Sequence, residues 1–97
     1  MSTHQFKLFI MGQTSRSRRA TRNLQDICER LLPGNYELTI IDVLEQPELA
    51  ESFKIVATPT LIKESPLPAR RVLGDLSDQD KLLLALEIDP PPGGGQG

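Results

Sequence analysis

The spacing of two apolar segments constrains this chain more than any other feature. Residues 5–11 read QFKLFIM and residues 36–43 read YELTIIDV. Both have the length and apolar content of strands. In the first, Phe6, Leu8 and Ile10 alternate with Lys7, Phe9 and Met11, so both faces are partly apolar. Such a strand suits the middle of a covered sheet. In the second, Leu38 and Ile40 point one way, and Thr39 and Ile41 the other. Between them Ala20, Leu24, Ile27, Cys28 and Leu31 recur at helical spacing, which predicts a helix from about Ser15 to Leu32. Thr14, Ser15 or Ser17 can cap it, and Pro33-Gly34-Asn35 stops it. A strand–helix–strand of this length favours a parallel pair with a right-handed crossover.

The second half is more broken. Pro47 can open a short helix that carries Leu49 and Phe53 inward. Pro59–Glu64 and Ala69–Leu73 are the next strands, with Ser65-Pro66-Leu67-Pro68 as the turn. Gly74-Asp75-Leu76-Ser77 ends the second of them. A last helix runs from about Asp78 to Glu87 and offers Leu82, Leu83 and Leu86 to the core. Ser77 followed by Asp80 resembles a capping box with a shorter acid. The resulting order, βαβαββα, is the thioredoxin arrangement, an α/β layered fold. Pro59, Pro66 and Pro68 nevertheless cut across a stretch that otherwise reads as sheet, and proline cannot donate to a strand ladder. The segment is either a set of turns between short strands or a stretch not committed to one backbone path.

The chain has 97 residues, enough for one domain, expected over residues 1–89, with a disordered tail, PPPGGGQG, at 90–97. A core is feasible but modest, so oligomerisation would help stability. A net charge of −2 gives no reason to expect nucleic acid or a membrane surface. The charge is uneven, however. Arg16, Arg18, Arg19 and Arg22 form one cluster; Glu37, Asp42, Glu45, Glu48 and Glu51 form another. The asymmetry suggests a protein partner with a complementary surface. The N-terminal apolar run is too short for a signal peptide or a span, and a cytosolic location is expected.

A thioredoxin-type enzyme needs a Cys-x-x-Cys where the first strand meets the first helix. Here that position reads Gly12-Gln13-Thr14-Ser15-Arg16-Ser17, without a thiol. The single cysteine, Cys28, lies on the apolar stripe and reads as a small core residue. His4 is the only histidine, so no metal site is expected. There is no Gly-x-Ser-x-Gly and no Gly-rich phosphate loop. Asp75, Asp78 and Asp80 gather around a helix start, where the helix dipole favours acids. By elimination the chain is a binding protein without a cofactor, not an enzyme.

KLFIMGQTSRSRRATRNL, YELTIIDVLEQPELAE, KIVATPTLIK and PLPARRVLGDLS together resemble the KaiB family of circadian clock proteins. The resemblance runs from about Phe6 to Ile88. It implies a metamorphic chain, in which an oligomeric βαββααβ ground state, a tetramer or dimer, alternates with a monomeric thioredoxin-like state. The part from about Ala50 would be rebuilt, with isomerisation at Pro59, Pro66 and Pro68, whose X-Pro bonds exchange slowly. The resemblance further implies that the thioredoxin-like state binds the N-terminal ATPase ring of a KaiC-type hexamer. There it would help to hold KaiA inactive and compete with a clock-output histidine kinase. Arg19, Arg22 and Lys54 would supply cationic contacts, and Pro59 would fix the start of a strand. Two departures matter. Ala85-Leu86-Glu87 stands where many relatives have Gly-Leu-Asp, which is expected to favour the thioredoxin-like state because Ala is a better helix former than Gly. The acidic C-terminal tail of cyanobacterial relatives is replaced by the Pro/Gly run. That leaves open an interaction module of a stress-response or histidine-kinase pathway without a full KaiABC oscillator.

Overall fold

The computed structural model describes residues 3–88, so the tail expected to be disordered lies outside the described residues. The elements are β1 (His4–Ile10), α1 (Ser15–Leu31), β2 (Tyr36–Asp42), α2 (Pro47–Ser52), β3 (Thr60–Ser65), β4 (Arg70–Leu73) and α3 (Gln79–Leu86). This is the order expected from the sequence. The strands form one sheet in the order β2-β1-β3-β4. β1 runs parallel to β2, from His4 opposite Tyr36 to Ile10 opposite Asp42. It runs antiparallel to β3, and β3 antiparallel to β4.

The pleat divides the molecule into two layers. Phe6, Leu8 and Ile10 of β1 join Leu61 and Val72 on one face, against Ala20, Leu24, Ile27 and Cys28 of α1 and Leu82, Leu83 and Leu86 of α3. Phe9, Ile41 and Ile62 lie on the other face, where the partly buried Val43, Leu49, Phe53 and Ile55 pack against them. Both faces of β1 are thus covered, as its double apolar pattern requires. The first layer is thick. The second is thin, because α2 is six residues long and none of its residues is buried. Leu49 and Phe53 point inward as expected but are only half-buried.

Local chemistry sets the helix starts. Thr14 is the cap of α1, and its Oγ1 accepts from the Ser17 N–H at 3.1 Å. Ser17 turns inward and its Oγ accepts from the Met11 N–H at 3.2 Å, tying the helix start to the end of β1. At α3 the expected Ser77 cap is corrected. The Ser77 N–H is already engaged by Asp75 Oδ1 at 3.1 Å. The cap falls one residue later, on Asp78, whose Oδ1 accepts from the Lys81 N–H at 3.1 Å. A carboxylate there also meets the positive end of the helix dipole.

The ends of α2 and α3 share one construction. Ile55 N–H reaches back to the Ala50 carbonyl at 2.9 Å and Lys54 N–H to Glu51 at 3.0 Å. Ile88 N–H reaches the Leu83 carbonyl at 3.0 Å and Glu87 N–H the Leu84 carbonyl at 3.2 Å. Both are Schellman stops, which place one residue in the left-handed region. That residue is usually glycine, yet here it is Lys54 (φ 56°) and Glu87 (φ 60°). A charged side chain in this conformation costs about 1 kcal/mol relative to glycine. The expectation that Glu87 continues the last helix is therefore corrected: α3 ends at Leu86, and Glu87 makes the turn.

Candidate partner-binding surface

The three cations expected to meet a partner are all exposed, and the fold distributes them over both layers. Arg19 and Arg22 lie on α1, over the thick layer. Lys54 follows α2, over the thin one. Arg19 is held in place by Asp75, with Nε 3.1 Å from Oδ2. Asp75 is kept below the ordinary carboxylate range by its hydrogen bond to Ser77 first and by Arg19 second. Arg22 borders a groove of about 320 Å³ between α1 and the free edge strand β2, floored by Ile10 and Ile40 and also lined by Arg18 and Gln25.

The end of the sheet supplies an apolar surface between these layers. Met11, Leu44 and Val56 are exposed there, Val56 by 91%. β1 and β2 end at this side and β3 begins at it. Leu44 lies over Gly12, since a Cβ on Gly12 would stand 3.5 Å from Leu44 Cδ1. Met11, Val56 and Ala57 line a small socket with Val43, Ala50, Ile55 and Thr58. Exposed apolar groups gathered in one place mark interaction surfaces more often than single ones do. Composition alone does not reveal this cluster, because its members come from three separate loops.

Of the residues expected to take part in a change of fold, Pro59 is buried and Pro66 half-buried, while Pro68 is exposed. Each follows a cis peptide bond, at Thr58-Pro59, Ser65-Pro66 and Leu67-Pro68. Ala85 sits in α3 and packs against the core. Glu87 pairs with Arg70, Nη2 to Oε2 at 2.8 Å, and this hydrogen bond holds its carboxyl below the ordinary range.

Three functional candidates escaped the sequence reading. Arg70 and Arg71 are neighbours on β4, so they face opposite layers. Arg70 takes the end of α3 through Glu87. Arg71 takes the end of α2, donating to the carbonyls of Phe53 and Lys54. Lys63 stands in an apolar run, is only 1% exposed, and donates to the Leu86 carbonyl at 3.3 Å. An arginine pair on an edge strand and a lysine at an inward strand position were the available signals.

Burial and the nearby Glu29 carboxylate push the Cys28 thiol up to about 12, which leaves it without nucleophilic thiolate near neutral pH. The β1–α1 loop, where a thioredoxin carries its cysteines, presents Gly12, Gln13 and Thr14 instead.

The sequence model of the KaiB domain matches residues 7–88. The chain belongs to the KaiB family. It is 50% identical over 86 residues to the circadian clock oscillator protein KaiB of Prochlorococcus marinus, covering 89% of this chain and 82% of that protein. The same identity holds for the circadian clock oscillator protein KaiB of Synechococcus elongatus, over 89% of this chain and 84% of the relative. Among solved structures, the N-terminal domain of Synechococcus elongatus SasA superposes with a TM-score of 0.72 at 26% identity, over 90% of this chain and 86% of that domain. Chloroplastic thioredoxin z gives the same TM-score at 23% identity, over 90% of this chain and 79% of its own, a likeness of fold alone. This KaiB-family chain is thus a member of a circadian clock protein family and has a thioredoxin-like fold. Among its described residues, no helix is long and apolar enough to cross a membrane.

Proposed function

We propose that this chain is a non-enzymatic timing regulator that binds the N-terminal ATPase ring of a KaiC-type hexamer in the cytoplasm. In doing so it modulates the phosphorylation cycle of that hexamer. The observation that carries the reading is the match to KaiB over residues 7–88, on a thioredoxin-like fold whose β1–α1 loop has no thiol. Arg19, Arg22 and Lys54 supply cations to an acidic or carbonyl-rich ring surface. The apolar groups Met11, Leu44 and Val56 lie at the end of the sheet and supply buried area. KaiA and a clock-output histidine kinase are further partners on this reading.

The fold described here is the binding form. It alternates with a βαββααβ ground state, a tetramer or dimer, in which the chain from about Ala50 is rebuilt. The thin second layer supports this, because α2 gives up little buried surface when it leaves. Pro59, Pro66, Pro68, Ala85 and Glu87 lie in the rebuilt part.

The test is to mix the chain with a KaiC-type hexamer and ATP and follow complex formation by size-exclusion chromatography over hours. Slow formation, lost in an Arg19/Arg22/Lys54 triple alanine variant, is the expected result. Absence of a complex in every nucleotide state rejects the reading. A second reading is an interaction module of a stress-response or histidine-kinase pathway without a full oscillator. It is favoured by the fold shared with the N-terminal domain of SasA, where such a unit is part of a larger protein.

A further inference from the structure

Lys54 occupies a position that glycine would fill at lower cost. Its φ is 56°, and the Schellman bonds at 2.9 and 3.0 Å fix it there. Two things follow from the geometry. The stop orients the Lys54 Cα–Cβ bond, so the direction of the ammonium depends on the stop being closed. The stop's own bonds take the Leu49, Ala50 and Glu51 carbonyls but leave those of Phe53 and Lys54, and α2 is too short and too exposed to hold its end by packing. Arg71 supplies what is missing. Its Nη1 donates to the Lys54 carbonyl at 3.4 Å and its Nη2 to the Phe53 carbonyl. A planar guanidinium can bridge two successive carbonyls in this way, whereas a lysine ammonium has no such fork. The positive charge also lies at the negative end of the helix.

We infer that Arg71 is a positioning residue for partner binding: from β4 it clamps the left-handed stop after α2 and so aims the Lys54 ammonium at the partner. The inference rests on the proposed function for Lys54, and it adds a residue that acts through Lys54 rather than by touching the partner. It also accounts for a lysine at a glycine-type position. A glycine would make a better stop and would carry no cation.

The test is a double-mutant cycle in the full chain, with affinity for the ATPase ring measured for Lys54→Ala, Arg71→Ala and the double variant. Each single change is expected to weaken binding about tenfold, the scale of one charge-assisted hydrogen bond. The double variant is expected to be no weaker than either single one. Arg71→Lys is expected to behave as Arg71→Ala, and Lys54→Gly as Lys54→Ala even though its stop is better formed. A double-variant loss equal to the product of the single losses overturns the inference, because Arg71 would then act independently of Lys54. A second readout needs no partner. In the free Arg71→Ala chain, hydrogen exchange at the Ile55 amide should quicken and Lys54 should leave the left-handed region, with the α1 amides unchanged. Unaltered Ile55 protection also overturns the inference. Failure of the wild-type chain to bind the ring removes the proposed function instead, while the amide readout still decides the clamp.

Discussion

The two halves of this molecule are held by different physics. In β1–α1–β2, a helix of 17 residues lays a stripe of buried side chains on the sheet, and its start is capped by Thr14 and anchored through Ser17. In the half from Pro47 onward, one helix buries no residue, and three side chains from the strands reach out to hold helix ends. Arg71 holds α2, while Arg70 and Lys63 hold α3. Apolar packing is spread over many contacts and is lost only as a whole. A polar tie is local and can be made or broken singly. The difference teaches where adjustability resides in a small domain. It lies around α2, where directional bonds at the periphery stand in for buried side chains.

The largest expected effect tests the packed half. Leu24→Ala removes a fully buried side chain and should cost about 2–5 kcal/mol of global stability in urea denaturation. Leu49→Ala, on the thin layer, should cost less than about 1.5 kcal/mol, since the half-buried site gives up only part of a side-chain transfer energy. Equal losses at the two positions would erase the contrast between the halves. Next is Ala85→Gly in α3, which should destabilise that helix by about 1 kcal/mol. It should raise the share of any second fold seen by NMR; an unchanged spectrum would separate α3 from the proposed switch. Smaller again, native-state hydrogen exchange should show α1 amides exchanging more slowly than those of α2, and matched rates would show one cooperative unit.

The smallest effect is one of pH. His4 Nδ1 is buried without a hydrogen-bond partner, its ring lies 5.9 Å from that of Phe6, and burial and the positive Lys63 together lower its pKa. The unfolded chain therefore takes up a proton more readily than the folded one. The stability associated with neutral His4 is fully present above the ordinary value of 6.5 and is lost as pH falls below it. Asp75 and Glu87, both lowered by their hydrogen-bonded partners, act in the same direction at more acid pH, through the carboxylate range. A His4→Asn variant should flatten the stability profile just below pH 6.5 and leave the carboxylate region as it was.

The order of elements was legible because its signals are periodic and local. The α1 stripe, the two alternating strands and the Pro47 start each depend on neighbours within a few turns. Even the short strands β3 and β4 came out in place. What escaped were features made by distant residues meeting. Ser77 looked like a cap because Asp80 follows it, but Asp75 had already taken its N–H. Glu87 looked helical on propensity, yet it sits where the backbone turns left-handed and Arg70 receives its carboxylate. Lys63 looked like an ordinary strand residue until α3 brought a carbonyl to it. At the candidate surface, Arg19 and Arg22 were legible as members of an arginine cluster, whereas Lys54 was expected only from the family resemblance. The apolar patch of Met11, Leu44 and Val56 was not legible, because only the shared end of parallel and antiparallel strands gathers three loops.

The place of β1 in the sheet has a consequence for how the chain is made. Leu8 pairs with Ile40 on one side and with Leu61 on the other. A ribosome delivers these partners in sequence, N-terminal segment first. Once β2 has emerged, β1–α1–β2 can close over its own crossover, but β1 then waits with one hydrogen-bonding edge open. An open edge is a template for another nascent chain. The interval between the emergence of Asp42 and the emergence of Thr60 is thus one in which this edge of β1 stands open to misassembly.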